Sequence, residues 1–196
     1  SCLGRCDAAP AVAVNDRPAG PADPASAASL LQDDLVPWLE VTAAATPWRV
    51  DPYDSPADHY STLAALAADP ATLPQACIDQ LNGAALKGMG GAGFPAGRKW
   101  QLVAAETATP RYVICNADES EPGTFKDRVI MEGDPHMMLE GMALASYAIG
   151  AEVAYLYIRG EFVLCIERLE TALDEAYRKG YLGRDILGSG FNLDIH

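Results

Sequence analysis

The stretch RYVICNADESEPGTFKDR, residues 111–128, turns from apolar to acidic within a few positions. Arg111 to Asn116 is a short run rich in β-branched and aromatic residues, the composition of a strand. Asp118, Glu119 and Glu121 then put three carboxylates within four positions at its carboxyl end. Downstream, Asp134-Pro135 opens a helix through Met138, Leu139, Met142 and Ile149, which Gly150 ends. EVAYLYI (152–158) reads as a second strand, 161–179 as a second helix stopping before Gly180, and 191–195 as a third strand. Strand, helix, strand, helix, strand at this spacing predicts an α/β fold with a parallel sheet and right-handed crossovers. Ligands of such sheets sit at the carboxyl ends of the strands, which is where the acidic cluster falls.

Upstream, Ser55-Pro56 supplies an N-cap and first-turn proline for a helix through Leu63 and Leu66, and Pro74 opens another around Ile78 and Leu81. These form a helical prelude. PAGPADPASAAS (18–29), with three prolines and little to bury, reads as linker. The expected organisation is a short N-terminal segment over 1–15, a linker over 16–54 and the α/β domain over 55–196. Ser1 in place of a methionine and a strand just beginning at the end lead us to expect a chain truncated at both ends.

Composition excludes several classes. Fourteen Lys and Arg against 27 Asp and Glu give a net charge of −13, and only three of the basic residues lie in the first 80 positions. A nucleic-acid surface needs clustered cations, so none is expected. No apolar run reaches the roughly 18 residues of a membrane span and nothing resembles a signal peptide, so we expect no membrane insertion and a cytoplasmic location. Five irregularly spaced cysteines argue for reduced thiols or metal ligands over a disulfide framework. Cys2 and Cys6 form the one close pair; Cys77, Cys115 and Cys165 read as small buried hydrophobes.

A second stretch, KGMGGAGFPAGRKW (87–100), holds five glycines. Gly88, Gly90 and Gly93 satisfy G-x-G-x-x-G, yet a dinucleotide fingerprint follows a strand and opens a helix directly, whereas this one follows a helical segment and is interrupted by Phe94-Pro95. Two other readings stand beside it: glycines serving only tight turns, or a loop whose N–H groups approach a flat or phosphorylated ligand where a Cβ would collide. The acidic cluster likewise admits a solvated turn closed by Pro122-Gly123, a Mg²⁺ or Ca²⁺ site, or acceptors for sugar hydroxyls and ring N–H groups. A ligand-binding glycine loop makes the last of these the most economical.

Together, GMGGAGFPAGRKW (88–100) and NADESEPGTFKDR (116–128) resemble the family of NADH-binding flavoprotein subunits shared by respiratory complex I, NAD-linked bidirectional hydrogenases and NAD-dependent formate dehydrogenases. DPHMMLEGM (134–142) and YLYIRGEF (155–162) fit the same pattern. The resemblance implies FMN and NAD(H) as cofactors, hydride exchange between them, and single-electron passage to iron–sulfur clusters. By position, Gly88, Gly90, Lys99, Asn116, Asp118 and Glu119 would hold FMN; Gly91, Ala92, Phe94 and Glu121 would meet the dinucleotide, and Gly93 between them would be cofactor-binding as well. The glycine loop and 116–121 are then expected to face one cavity. Lys99 would stabilise an anionic reduced flavin or a phosphate. Met89 stands where complex I members typically carry arginine, which leans away from complex I.

CLGRCDAAPAVAVN (2–15) resembles the end of a thioredoxin-like 2Fe–2S ferredoxin, in which Cys2 and Cys6 would supply half the ligands of a 2Fe–2S cluster. Ligands of a 4Fe–4S cluster would fall beyond residue 196. Such a fusion points first to the formate dehydrogenase beta subunit, with the equivalent complex I or hydrogenase subunit as alternative. The implied partners are the other subunits of a multi-subunit redox complex. A non-catalytic acidic docking scaffold is the rival from outside the enzymes.

Overall fold

A computed structural model describes residues 12–14, 17–19, 25, 53–69 and 73–196. Strands β1 (Val12–Val14) and β2 (Arg17–Ala19) pair antiparallel, so regular structure continues past position 15, where linker was expected to begin. From 53 onward, a 3₁₀ turn (Pro56–Asp58) is followed by α1 (Ser61–Ala67), α2 (Leu73–Gly83), α3 (Ala96–Ala104), β3 (Tyr112–Ala117), α4 (Lys126–Gly133), α5 (Pro135–Ile149), β4 (Val153–Ile158), α6 (Val163–Arg178), a second 3₁₀ turn (Ile186–Gly188) and β5 (Asp194–Ile195).

The strands lie in the order β3-β4-β5, and β4 and β5 run parallel with Val153 opposite Asp194 and Ala154 opposite Ile195. The expected parallel α/β sheet is present. Two helices were not anticipated: α3, which begins at Ala96 within the glycine stretch, and α4, which begins at Lys126 within the acidic one. The helix expected from Ser55 is broken in two. Ser55 Oγ does accept from the Ala57 N–H at 3.2 Å, but Tyr60 takes a left-handed conformation (φ 62°) and α1 starts only beyond it.

The chain divides into two compact units. In the first, which contains Asn116–Pro135 and Tyr157–Ala172, the buried apolar residues are Ala117, Met131 of α4, Phe162, Cys165, Leu169 and Ala172. In the second, comprising Tyr53–Cys115, His136–Leu156 and Leu173–His196, Tyr60, Leu63, Ile78, Leu139, Ala154 and Leu193 are buried. Here α1 is fastened to α5 by a buried carboxylate: Glu140 accepts the Tyr53 hydroxyl and, at 2.8 Å, the Leu63 N–H in the first turn of α1. Tyr60 stacks on Tyr181 with ring centroids 4.3 Å apart and meets His136 Nδ1 at 3.2 Å. At the end of α5, Gly150 (φ 70°) stops the helix as expected, and Arg111 donates to the Ile149 carbonyl at 2.9 Å. Among the described residues no helix is long and apolar enough to cross a membrane.

Candidate functional site

The glycine stretch joins two helices, α2 and α3, with no strand before it. That is the connectivity that excludes a dinucleotide fingerprint. The Gly88 N–H donates to the Phe94 carbonyl at 2.9 Å and the Ala96 N–H to the Leu86 carbonyl at 2.8 Å, so the loop is pinched shut at its base. Two glycines answer to backbone geometry: Gly91 (φ 102°) and Gly93 (φ 62°) occupy the left-handed region. Gly97 answers to packing, since a Cβ there would lie 2.8 Å from the backbone nitrogen of Asn82 where α3 crosses α2.

Gly88 and Gly90 answer to neither. Neither has a positive φ; a Cβ on Gly90 meets nothing within 4 Å, and one on Gly88 meets only the Phe94 carbonyl at 3.8 Å. The chain's own atoms give no reason for glycine at these two positions, as they give none at Gly83, Gly133, Gly141 and Gly160. Met89 and Phe94 are exposed, at 71% and 47%, and Ala92 and Lys99 face solvent too. The loop thus exposes side-chain-free backbone and an aromatic ring, and α3 adds a cation at Lys99.

The acidic stretch continues the in-and-out alternation of β3. Asn116, Asp118, Ser120 and Glu121 are exposed, Ala117 and Glu119 buried. Asn116 Oδ1 accepts the Asp118 N–H at 3.2 Å and the Ser120 hydroxyl donates to Asp118, so the outward groups brace one another. Glu121-Pro122-Gly123-Thr124 then turns the chain, the Thr124 N–H donating to the Glu121 carbonyl at 3.0 Å, with proline and a positive-φ glycine (86°) at the positions a type II turn demands. Glu119 and Glu121 part company here, because the turn at Pro122-Gly123 leaves Glu121 in solvent while the strand alternation sends Glu119 inward.

Glu119 is turned onto α4. Its two oxygens accept the N–H groups of Asp127 (2.9 Å) and Arg128 (3.1 Å), and Lys126 Nζ lies 3.8 Å away. The acid caps the first turn of α4 and complements the helix dipole from a distance in sequence. Deeper in the same unit, Arg128 pairs with Glu132 at 3.5 Å, both buried. The Cys165 thiol sits 3.8 Å from the Glu132 carboxylate. Burial first, then that carboxylate, pushes its pKa up to about 12. Cys165 is thus the buried small residue expected, whereas Cys77 and Cys115 are half-buried.

Residue reasoning missed the part played by YLYIRGEF. Arg159 donates to the Glu119 carbonyl at 3.0 Å and pairs with Glu161 at 3.2 Å, its guanidinium 5.2 Å above the Phe162 ring. An arginine just past a strand, beside an acidic loop, was the available signal. Cys2 and Cys6 lie outside the described residues. Among those described, no group of three or more His, Cys, Asp or Glu side chains could hold a metal ion.

The family described as the Nuo51 FMN-binding domain matches residues 81–196. Among curated relatives, an NADH-quinone oxidoreductase subunit of Rhizobium meliloti is 56% identical over 123 residues, 63% of this chain and 29% of its own length. The NADP-reducing hydrogenase subunit HndC of Solidesulfovibrio fructosivorans is 48% identical over 122 residues, 62% of this chain and 25% of its own. Among solved structures, an NAD⁺-reducing [NiFe]-hydrogenase in the H₂-reduced state superposes with a TM-score of 0.79 at 34% identity, covering 99% of this chain and 34% of that one. The chain thus spans about a third or less of the proteins it matches.

Proposed function

The chain belongs to the Nuo51 FMN-binding domain family, and from that membership we propose that it is the FMN- and NAD(H)-binding part of an electron-transfer subunit in a multi-subunit redox complex. The observation that carries this reading is the match to the FMN-binding domain over residues 81–196, and the open backbone at Gly88 and Gly90, inside that match, is where we place the flavin. Bound FMN would exchange hydride with NAD(H) and pass electrons singly to iron–sulfur centres. The chain's own contribution is placement. Gly88 and Gly90 let a ring system lie on bare backbone, and Lys99 supplies a cation. Asn116 and Asp118 present outward polar groups for hydroxyls, while Glu119 keeps their loop on α4. Gly91, Ala92, Gly93 and Phe94 line the approach of the dinucleotide, and Glu121, exposed at its turn, accepts from it.

The test uses the full-length protein. It should purify yellow and bleach with NADH, and Gly90→Val should lose flavin without lowering the melting temperature of the flavin-free protein. Full flavin content in Gly90→Val would overturn the reading, and a colourless protein with unaltered partner binding would favour the docking scaffold.

For the partner enzyme, we read the Cys2/Cys6 spacing and Met89 as those of an NAD-dependent formate dehydrogenase beta subunit, with the N-terminal segment contributing to a 2Fe–2S cluster ahead of the linker. One observation supports a second reading, an NAD-linked hydrogenase: an NAD⁺-reducing [NiFe]-hydrogenase superposes on 99% of the chain with a TM-score of 0.79. Metal analysis of the co-purified complex separates the two, molybdenum or tungsten for the first and nickel for the second.

A further inference from the structure

Glu119 is held from both ends, its carboxylate by α4 and its carbonyl by Arg159, and the second attachment has no role in the function proposed so far. We propose that Arg159 is a positioning residue that locks the 118–121 segment in the conformation presenting Asp118 and Glu121 outward, and so sets the affinity for flavin and nucleotide together. The inference rests on the FMN/NAD(H) reading above.

Four observations support it. The Arg159 side chain is only 8% exposed, so its position is fixed by its surroundings. Its NH1 reaches the Glu119 carbonyl at 3.0 Å, while its Nε and NH2 meet the two Glu161 oxygens at 3.4 and 3.2 Å. Beneath the guanidinium lies the Phe162 ring, itself 3% exposed and part of the core. The carbonyl it holds is the peptide link between Glu119 and Ser120, whose rotation would turn Ser120 away from Asp118.

Arginine suits this place because its rigid fork serves a carboxylate and a third acceptor at once, which a lysine ammonium on a flexible stem does not. With α4 gripping the side chain of Glu119 and Arg159 its main chain, the peptide has one orientation. The outward carboxylates on either side are then preorganised for a ligand and need no ordering when it arrives.

Arg159→Gln and Arg159→Lys in the full-length protein test this, read by FMN titration and by NADH:ferricyanide kinetics at saturating FMN. For Arg159→Gln, the FMN dissociation constant and KM for NADH should each rise about tenfold, as expected when a charge-assisted hydrogen bond is lost. The value of kcat should stay near that of the parent although loss of a largely buried ion pair lowers the melting temperature, and Arg159→Lys should recover part of both affinities. Parental affinities in Arg159→Gln would overturn the proposal. So would a double variant Arg159→Gln/Glu161→Gln no weaker than Glu161→Gln alone, since Arg159 would then act only through Glu161. A parent protein that binds no FMN would instead sink the functional reading, which keeps the two failures apart.

Discussion

At the scale of the residue, Glu119 and Glu121 carry the same charge two positions apart and do different work. Glu119 is spent on backbone amides of α4, whereas Glu121 stands in solvent at the head of a turn. Glu121→Gln keeps the shape and removes the charge, so flavin content should persist while the KM for NADH shifts. Glu121→Ala, which also removes the acceptor, should cost about 1–3 kcal/mol of nucleotide binding. Flavin absorbance beside NADH:ferricyanide kinetics checks both; loss of flavin with unchanged nucleotide affinity would move Glu121 from the nucleotide to the flavin. The alternation that separates them could be read from RYVICNADES as a strand pattern. What could not be read was that Glu119 faces a helix, because nothing local announces α4.

The elements explain why. Helix prediction leans on a Ser, Thr, Asp or Asn at the N-cap, and both unforeseen helices lack one: α3 begins behind Pro95 and α4 behind Phe125, neither with a capping side chain of its own. The cap of α4 arrives from Glu119, six residues before Phe125, so it belongs to tertiary structure. The strands and the long helices α5 and α6 were legible because periodicity, Asp134-Pro135 and the closing glycines are local signals. Glu140 repeats the device by capping α1 from α5. Glu140→Gln should therefore destabilise the protein by about 1–3 kcal/mol, measured by urea unfolding, since it weakens the acceptor for two buried donors. The neighbouring His136 makes the same junction sensitive to acid. Burial and the adjacent His59 hold its imidazole below the ordinary 6.5, Lys179 adding to this and Glu175 opposing it. The unfolded chain consequently takes up this proton first. The His136 contribution to stability is complete above pH 6.5 and declines as pH falls through the lowered value. Unfolding midpoints between pH 7 and 5 should drop less steeply in His136→Gln than in the parent; parallel slopes would remove His136 as the cause.

At the scale of the whole molecule, membership in the FMN-binding family was legible because the two motifs that define it are contiguous runs of chain. The identity of the partner enzyme was not, since the residues that bear the resemblance serve the flavin and nucleotide and are blind to what lies further along the electron path. The segment carrying Cys2 and Cys6 is where that information would reside. If the proposed 2Fe–2S role is right, replacing both by serine in the full-length complex should erase a rhombic low-temperature EPR signal and leave the flavin in place. An undiminished signal would detach the N-terminal segment from the cluster.

The pinched base of the glycine loop has one further consequence, for proteolysis. Lys87, at the entry, is bridged to Pro95, and the amide that follows it donates to the Phe94 carbonyl, while Arg98 and Lys99 belong to α3, so the three exposed cations should all be poor trypsin sites. The bond that a protease can reach without opening this clasp is at the tip, between the exposed Ala92 and Gly93. Elastase, which cuts after small residues, should nick Ala92–Gly93 in flavin-free protein and fail to do so once FMN lies across the backbone. A single fragment on a gel then reports cofactor occupancy, without any need for the rest of the electron-transfer chain to be intact.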